Sequence, residues 1–239
     1  MRRTGTFILA SLACLAWAGS AVAQEKRVDS LILIDQLEHG FAKGSDTLRF
    51  NALGWVGGDY NRLWINTEGN RTANGSLDDT DVQILYGRLI APFWDLQGGV
   101  RYFQPLQNGP KRASAVFGIE GLAPYRFEVQ AAGFVSNRGE VSARLEIEYD
   151  LRLTQRLIAQ PRFETNIAFQ RAKELGIGSG INDAELGLRI RYEIRRELAP
   201  YAGIVWNSKF GEAAEFARLE RQGDPIRNLA FVIGVRFWR

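Results

Sequence analysis

The chain has 239 residues, of which 46% are hydrophobic, 11% aromatic and 24% charged, too apolar for a disordered segment and long enough to bury a large surface. Its 30 Lys and Arg against 27 Asp and Glu leave a net charge of +3, which excludes the strong basic excess of a nucleic-acid-binding domain. One His, one Cys and one Met exclude a His-rich or Cys-rich metal cage, while 25 Gly with six Trp, seven Tyr and 14 Phe favour strands and turns.

In chain order, Arg2 and Arg3 precede an apolar run from Phe7 to Ala18, and Ala21-Val22-Ala23 then supplies the small residues that signal peptidase reads. Residues 1–23 are expected to be a cleaved signal peptide and 24–239 the mature domain. The apolar run is too short for a transmembrane helix. Cleavage removes Met1 and Cys14, which leaves His39 as the single soft or imidazole ligand of the mature chain.

From there a period of two dominates. Strands are expected over 30–38, 48–58, 61–68, 80–91, 94–103, 112–121, 125–135, 141–151, 157–169, 183–193, 200–210 and 228–238. Over 141–151, Val141, Ala143, Leu145, Ile147, Tyr149 and Leu151 share one face, and Ser142, Arg144, Glu146, Glu148 and Asp150 the other. A helix would mix Leu145 with Glu148 and have no apolar stripe. Most segments are near the roughly 9 to 11 residues of a tilted membrane-spanning strand. Tight connections at 58–60, 92–93, 122–124, 152–156 and 194–199 alternate with longer loops at 39–47, 69–79, 104–111, 170–182 and 211–227, the short 136–140 being an exception. Loops sorted by rim, and about twelve strands, predict an all-β fold: a transmembrane antiparallel up-and-down β-barrel of the bacterial outer membrane, monomeric, in contact with outer-membrane lipid.

Two interfacial aromatic girdles are expected on this frame, with Trp94, Tyr125, Tyr149, Tyr192, Tyr201, Phe237 and Trp238 at the tight-turn ends and Trp64, Tyr102, Phe103, Phe134, Phe169 and Phe210 at the loop ends.

The runs Trp55-Val56-Gly57-Gly58-Asp59-Tyr60-Asn61-Arg62-Leu63-Trp64, Ala91-Pro92-Phe93-Trp94-Asp95-Leu96-Gln97 and Gly176-Ile177-Gly178-Ser179-Gly180, the last followed by Asp183-Ala184-Glu185-Leu186-Gly187-Leu188, closely resemble the copper resistance protein B family. So do Glu148-Tyr149-Asp150-Leu151 and Gln155-Arg156-Leu157-Ile158 with Pro161-Arg162. The resemblance implies an outer-membrane barrel that binds or passes copper at the cell envelope, without an enzymatic step. Two departures matter. Many members carry an N-terminal segment dense in Met and His, whereas Gln24 to Asp29 holds no soft ligand; a periplasmic copper-binding protein that supplies such ligands is the partner this suggests. Arg239 also stands where barrels of this kind usually end in an aromatic residue.

Candidate metal ligands are His39, placed just after the first strand, with Asp35 and Glu38 nearby, and the acidic cluster Glu146, Glu148, Glu164 and Glu185 on the polar face. A carboxylate and imidazole set suits Cu(II) over Cu(I), which prefers thiolate and thioether. The other reading of Glu146, Glu148, Glu164 and Glu185 is structural: paired with Arg144, Arg162, Arg189 and Arg191 on neighbouring strands, they fill the lumen. Two alternatives stay open. One is an outer-membrane hydrolase using His39 with Glu38 and a hydroxyl such as Ser45. The other is a structural barrel without a copper role. Gly176 to Gly180 precedes a strand, which removes the phosphate-cradle reading.

Overall fold

The structure, a computed structural model, describes residues 28–42, 46–72, 77–105, 109–219 and 226–239; the expected signal peptide lies outside the described residues. Strands β1 (Asp29–Ala42), β2 (Thr47–Gly57), β3 (Asn61–Thr72), β4 (Leu77–Ala91), β5 (Trp94–Pro105), β6 (Arg112–Ala123), β7 (Phe127–Ser136) and β8 (Val141–Tyr149) form a meander. The two-residue β9 (Leu151–Arg152) prolongs β8 past Asp150, and β10 (Leu157–Ala168), β11 (Gly180–Tyr192), β12 (Leu198–Lys209) and β13 (Arg227–Trp238) complete it. Consecutive staves pair antiparallel and β13 returns to pair with β1, so the sheet closes as a barrel of 12 strands. Closure leaves no free edge, which is what lets a sheet lie in hydrocarbon with every backbone group satisfied.

The residue pattern is inside out relative to a water-soluble fold. Outward positions are apolar and bare: Ile84, Val100 and Phe117 are 47%, 59% and 67% exposed, a density of open hydrocarbon that a soluble protein rarely shows. Inward positions include Glu38, Arg162, Glu185, Arg189 and Arg191, all buried.

All expected strands are present, and several run further at the loop ends, β1 to Ala42 and β3 to Thr72. Apolar alternation stops at the membrane boundary while the hydrogen-bond ladder continues beyond it, so a reading based on alternation ends too early. The expected loop 211–227 also contains a nine-residue helix, α1 (Gly211–Leu219).

Strand β1 carries a β-bulge. Ile34 is opposite Ala52 and Gln36 opposite Asn51, so Asp35 is an extra residue relative to β2, and the register with β13 shifts at the same place. Asp35 reaches Arg236 at 3.1 Å and Gln36 is buried; these two consecutive residues both serve the lumen, and Glu38 follows on the same side.

The girdles are partly corrected. Tyr125, Tyr192, Tyr102, Phe169, Phe210, Phe237 and Trp238 are exposed. Trp64, Phe134 and Tyr201 are buried, and Phe103 lines the lumen with Arg101 5.3 Å from its ring. Trp64 also lies near the tight-turn end of β3, not the loop end. It packs with Leu85, Val116 and Phe134 in one inward row, each opposite the next or across Gly99. With Leu53 and Trp55 packed against it, this row forms an apolar layer on the β2 to β7 side of the lumen.

Candidate functional site

On β8, β10 and β11 the alternation sends charged side chains inward, and the register sets Glu164 directly opposite both Glu146 and Glu185. Three carboxylates abreast on neighbouring strands repel one another. Arginines offset this: Arg162 reaches Glu146 at 2.9 Å, Glu148 at 3.2 Å and Glu164 at 3.2 Å, and Arg144 reaches Glu164 at 2.9 Å. The four acidic candidates are thus brought together, each already engaged by a guanidinium, for Arg49 donates to both oxygens of Glu185 at 2.6 and 2.7 Å. Among the described residues, no group of three or more His, Cys, Asp or Glu is arranged to hold a metal ion.

Several of these bonds cross the lumen instead of linking neighbours. Arg49 on β2 holds Glu185 on β11, Arg144 on β8 donates to Glu68 on β3 at 2.9 Å, and Arg189 on β11 donates to both oxygens of Glu38 on β1 at 3.0 Å. The Tyr201 hydroxyl adds a donor to Glu38 at 3.2 Å. Neighbour pairing therefore holds for Arg144 and Arg162 and is corrected for Arg189, Arg191 and Glu185. The reason lies in the register: beside Arg189 stand Gln160 and Gly203, and beside Arg191 stand Ile158 and Tyr201. With no acid alongside, Arg189 reaches across to Glu38, and Arg191 pairs with Asp150. Gly234 makes room for this, since a Cβ there would sit 2.5 Å from the Tyr201 ring and 2.8 Å from the Cβ of Glu38. Arg49 and Glu68 carry no mark in the sequence that sets them apart, and Tyr201 reads there as a girdle aromatic; Thr67 and Gly69 on either side of Glu68 blur the alternation that marks β8 and β10.

His39 is not in a loop. It lies within β1, opposite Leu48 and Ile233, with its ring 4.6 Å from that of Phe41 on the same outward face. Glu38 faces the lumen, so consecutive residues on a strand are separated by the wall. Glu38 and His39 are therefore not brought together on one side of the wall; Ser45 lies outside the described residues.

Above the crossed ion pairs, on the loop side, the lumen opens into a cavity of about 470 Å³. Its wall includes Asp79, Asp81 and Asp183, and two of these are held by amides instead of cations. Asp79 accepts from the backbone N–H and side-chain amide of Asn70 at 3.1 and 3.2 Å, and Asp183 from the Asn166 amide at 2.9 Å. Asp81 accepts from Arg101 through Oδ2 at 2.6 Å, while its buried Oδ1 has no hydrogen-bond partner among the described residues.

The loop after β10 and helix α1 meet over this mouth. Arg171 and Glu212 form an ion pair, and the Ser179 N–H donates to Glu212 at 3.1 Å. These two donors hold the Glu212 carboxyl below the usual carboxylate range, Arg171 contributing most. Gly178 permits the contact, since a Cβ there would be 2.5 Å from the Cβ of Glu212 and 2.8 Å from the backbone N of Ala213. Nearby, the Arg112 guanidinium, which donates at 2.8 and 3.0 Å, lowers the Glu140 carboxyl in the same way.

Residues 28–239 match the family described as "Copper resistance protein B precursor (CopB)". The chain belongs to that family. It is 41% identical over 214 residues to "Copper resistance protein B" of Escherichia coli and 37% identical to the "Copper resistance protein B homolog" of Pseudomonas syringae pv. tomato, in each case over 90% of this chain and 71% of the relative. Solved structures agree with the copper resistance B barrel in fold alone. The NanC porin superposes with a TM-score of 0.55 at 14% identity, covering 87% of this chain and 98% of that one. The outer membrane phospholipase A from Escherichia coli gives 0.53 at 13%, covering 87% and 90%.

Proposed function

We propose that this copper resistance B barrel sits in the outer membrane, short turns toward the periplasm, and takes copper as Cu(II) on oxygen ligands in its loop-side cavity, with no chemical step. The observation that carries this reading is the set of carboxylates there that no arginine fully engages: Asp79 and Asp183 on amides, and Asp81 with one buried oxygen that has no hydrogen-bond partner among the described residues. Such a wall attracts a hydrated cation, and hard oxygen donors suit Cu(II) over Cu(I). Below it the crossed ion pairs obstruct the lumen, so passage requires them to exchange partners. A periplasmic protein with Met and His donors is the fitting counterpart for Cu(I), which this wall does not suit. His39, on the outer face, takes no part.

The test is Cu(II) titration of the purified, folded barrel, paired with copper uptake in cells with and without the chain. Asp81→Asn with Asp183→Asn should weaken Cu(II) binding at least tenfold and lower uptake, while His39→Ala leaves both unchanged. Loss of binding in His39→Ala alone would move the site to the outer face, and no difference in uptake between the two cell types would leave a structural barrel without a copper role.

A further inference from the structure

Three consecutive short turns differ from the rest of their rim. Residues 124–126, 150–156 and 193–197 carry Arg126, Arg152, Arg156, Arg195 and Arg196, all exposed, and none of the five is in an ion pair among the described residues. The other two short turns, 58–60 and 92–93, carry a single charge, Asp59. The three turns are in contact: Phe127 pairs with Tyr149, and the Glu193 N–H donates to the Arg156 carbonyl at 2.8 Å. Of the acids among them, Asp150 pairs with Arg191, and Glu193 lies 4.0 Å from the same guanidinium, which leaves Glu197 as the one acid of these turns not facing Arg191.

The same turns are also greasy. The outward row of β11, Leu186, Leu188, Ile190 and Tyr192, continues without a break to Ile194, and Arg195 and Arg196 follow at once. Leu151 and Leu153 are exposed beside Arg152. Arginines directly beyond an unbroken apolar band stand at the height of lipid phosphates, with their stems over hydrocarbon and their heads at the charged layer. A soluble acidic protein would need the cations but not Leu153 and Ile194 beside them.

We propose that this arc of the rim, from Arg126 to Arg196, is a binding site for anionic phospholipid, with phosphates held by Arg152, Arg156, Arg195 and Arg196 and acyl chains on Leu151, Leu153 and Ile194. The inference rests on the membrane orientation proposed above only for which leaflet supplies the lipid.

The test uses the purified folded barrel in detergent, given equal phosphatidylglycerol and phosphatidylcholine, with retained lipids counted by native mass spectrometry. The parent should keep phosphatidylglycerol in preference. The variant Arg152→Gln/Arg156→Gln/Arg195→Gln/Arg196→Gln should lose it by more than tenfold, with retention of phosphatidylcholine unchanged, whereas Arg138→Gln on the opposite rim should match the parent. If the fourfold variant does not show the folded gel mobility, Arg152→Gln/Arg156→Gln and Arg195→Gln/Arg196→Gln are read separately, each expected to lose roughly fivefold or more. Equal retention of the two lipids by the parent, the result expected if an acidic protein is the occupant, overturns the site, as does a folded variant that keeps phosphatidylglycerol as well as the parent. Neither result depends on which membrane holds the protein, which cell fractionation decides by itself.

Discussion

Glu38 and His39 are joined by one peptide bond and serve opposite media: Glu38 accepts two hydrogen bonds from Arg189 inside the barrel, while His39 lies against Phe41 outside it. Substitution should therefore separate them sharply. Glu38→Ala leaves a buried guanidinium and the Tyr201 hydroxyl unpaired, a loss of about 3 to 5 kcal/mol. His39→Phe should be neutral within about 0.5 kcal/mol, as outward-facing changes usually are. Urea unfolding of the barrel in detergent, followed by tryptophan fluorescence, checks both. Equal effects would place the two side chains in one environment.

Arg162 is the hub of the charged wall, within 3.2 Å of Glu146, Glu148 and Glu164. Arg162→Ala should cost about 3 to 5 kcal/mol by stranding carboxylates, more than the lipid-facing Leu186→Ala. Adding Glu148→Gln to Arg162→Ala should restore part of the loss, because one stranded charge is removed. Midpoints of the same unfolding transition give the ranking, and a double variant weaker than the single one would count against the network.

The crossed pairs predict a poorly conducting lumen. Single-channel recordings in planar bilayers should show little current for the parent and several-fold more for Arg49→Ser/Glu185→Ser or Arg144→Ser/Glu68→Ser, each of which removes a bridge as a neutral pair. A parent that conducts as well as these variants would mean that the bridges do not obstruct passage.

The contact between the loop and α1 should depend on pH. Because its pKa is depressed in the folded state, Glu212 contributes stability that is present above the ordinary carboxylate pKa of about 4.3 and is lost as pH falls through its lowered value. Limited proteolysis of the loop in the intact barrel should therefore be slow at neutral pH and accelerate once the pH falls below the ordinary carboxylate range, read against an unstructured substrate to correct for the protease's own pH profile. Glu212→Gln should be cut faster already at pH 7, with the acid step gone. An unchanged profile would remove Glu212 from the contact.

The barrel was legible in the sequence because its physics is local. A strand between lipid and lumen must alternate, and segments such as Val141 to Leu151 do so without interruption. What the sequence did not reveal depends on distance through space. Nothing near Arg189 in the chain announces Glu38, 151 positions away, and nothing in Glu185 announces Arg49, 136 away. The aromatics misled for a related reason: Trp64 and Tyr201 have the composition of a girdle, but one-residue parity puts them inside, where Trp64 packs on Leu85 and Tyr201 bonds Glu38. The pattern ends before His39 and so points to a loop there, whereas β1 runs on to Ala42.

The bulge in β1 makes one stretch of the chain tolerant where its flanks are not. Leu31 and Leu33 face inward before it, and Gln36 and Glu38 after it, so odd numbering gives way to even at Asp35. Deleting Asp35 or Gln36 would convert the bulge into regular strand and leave every other side chain of β1 facing as it does now, with the Arg236 or Asn51 contact as the cost. Deleting a residue farther from the bulge would turn inside out either the stretch between the deletion and the bulge or the stretch beyond the deletion, and deleting Ile34 or Leu37 would close the bulge only by turning Asp35 or Gln36 toward the lipid. Natural length variation in this strand should therefore fall at Asp35 and Gln36 first, where no side chain has to change medium.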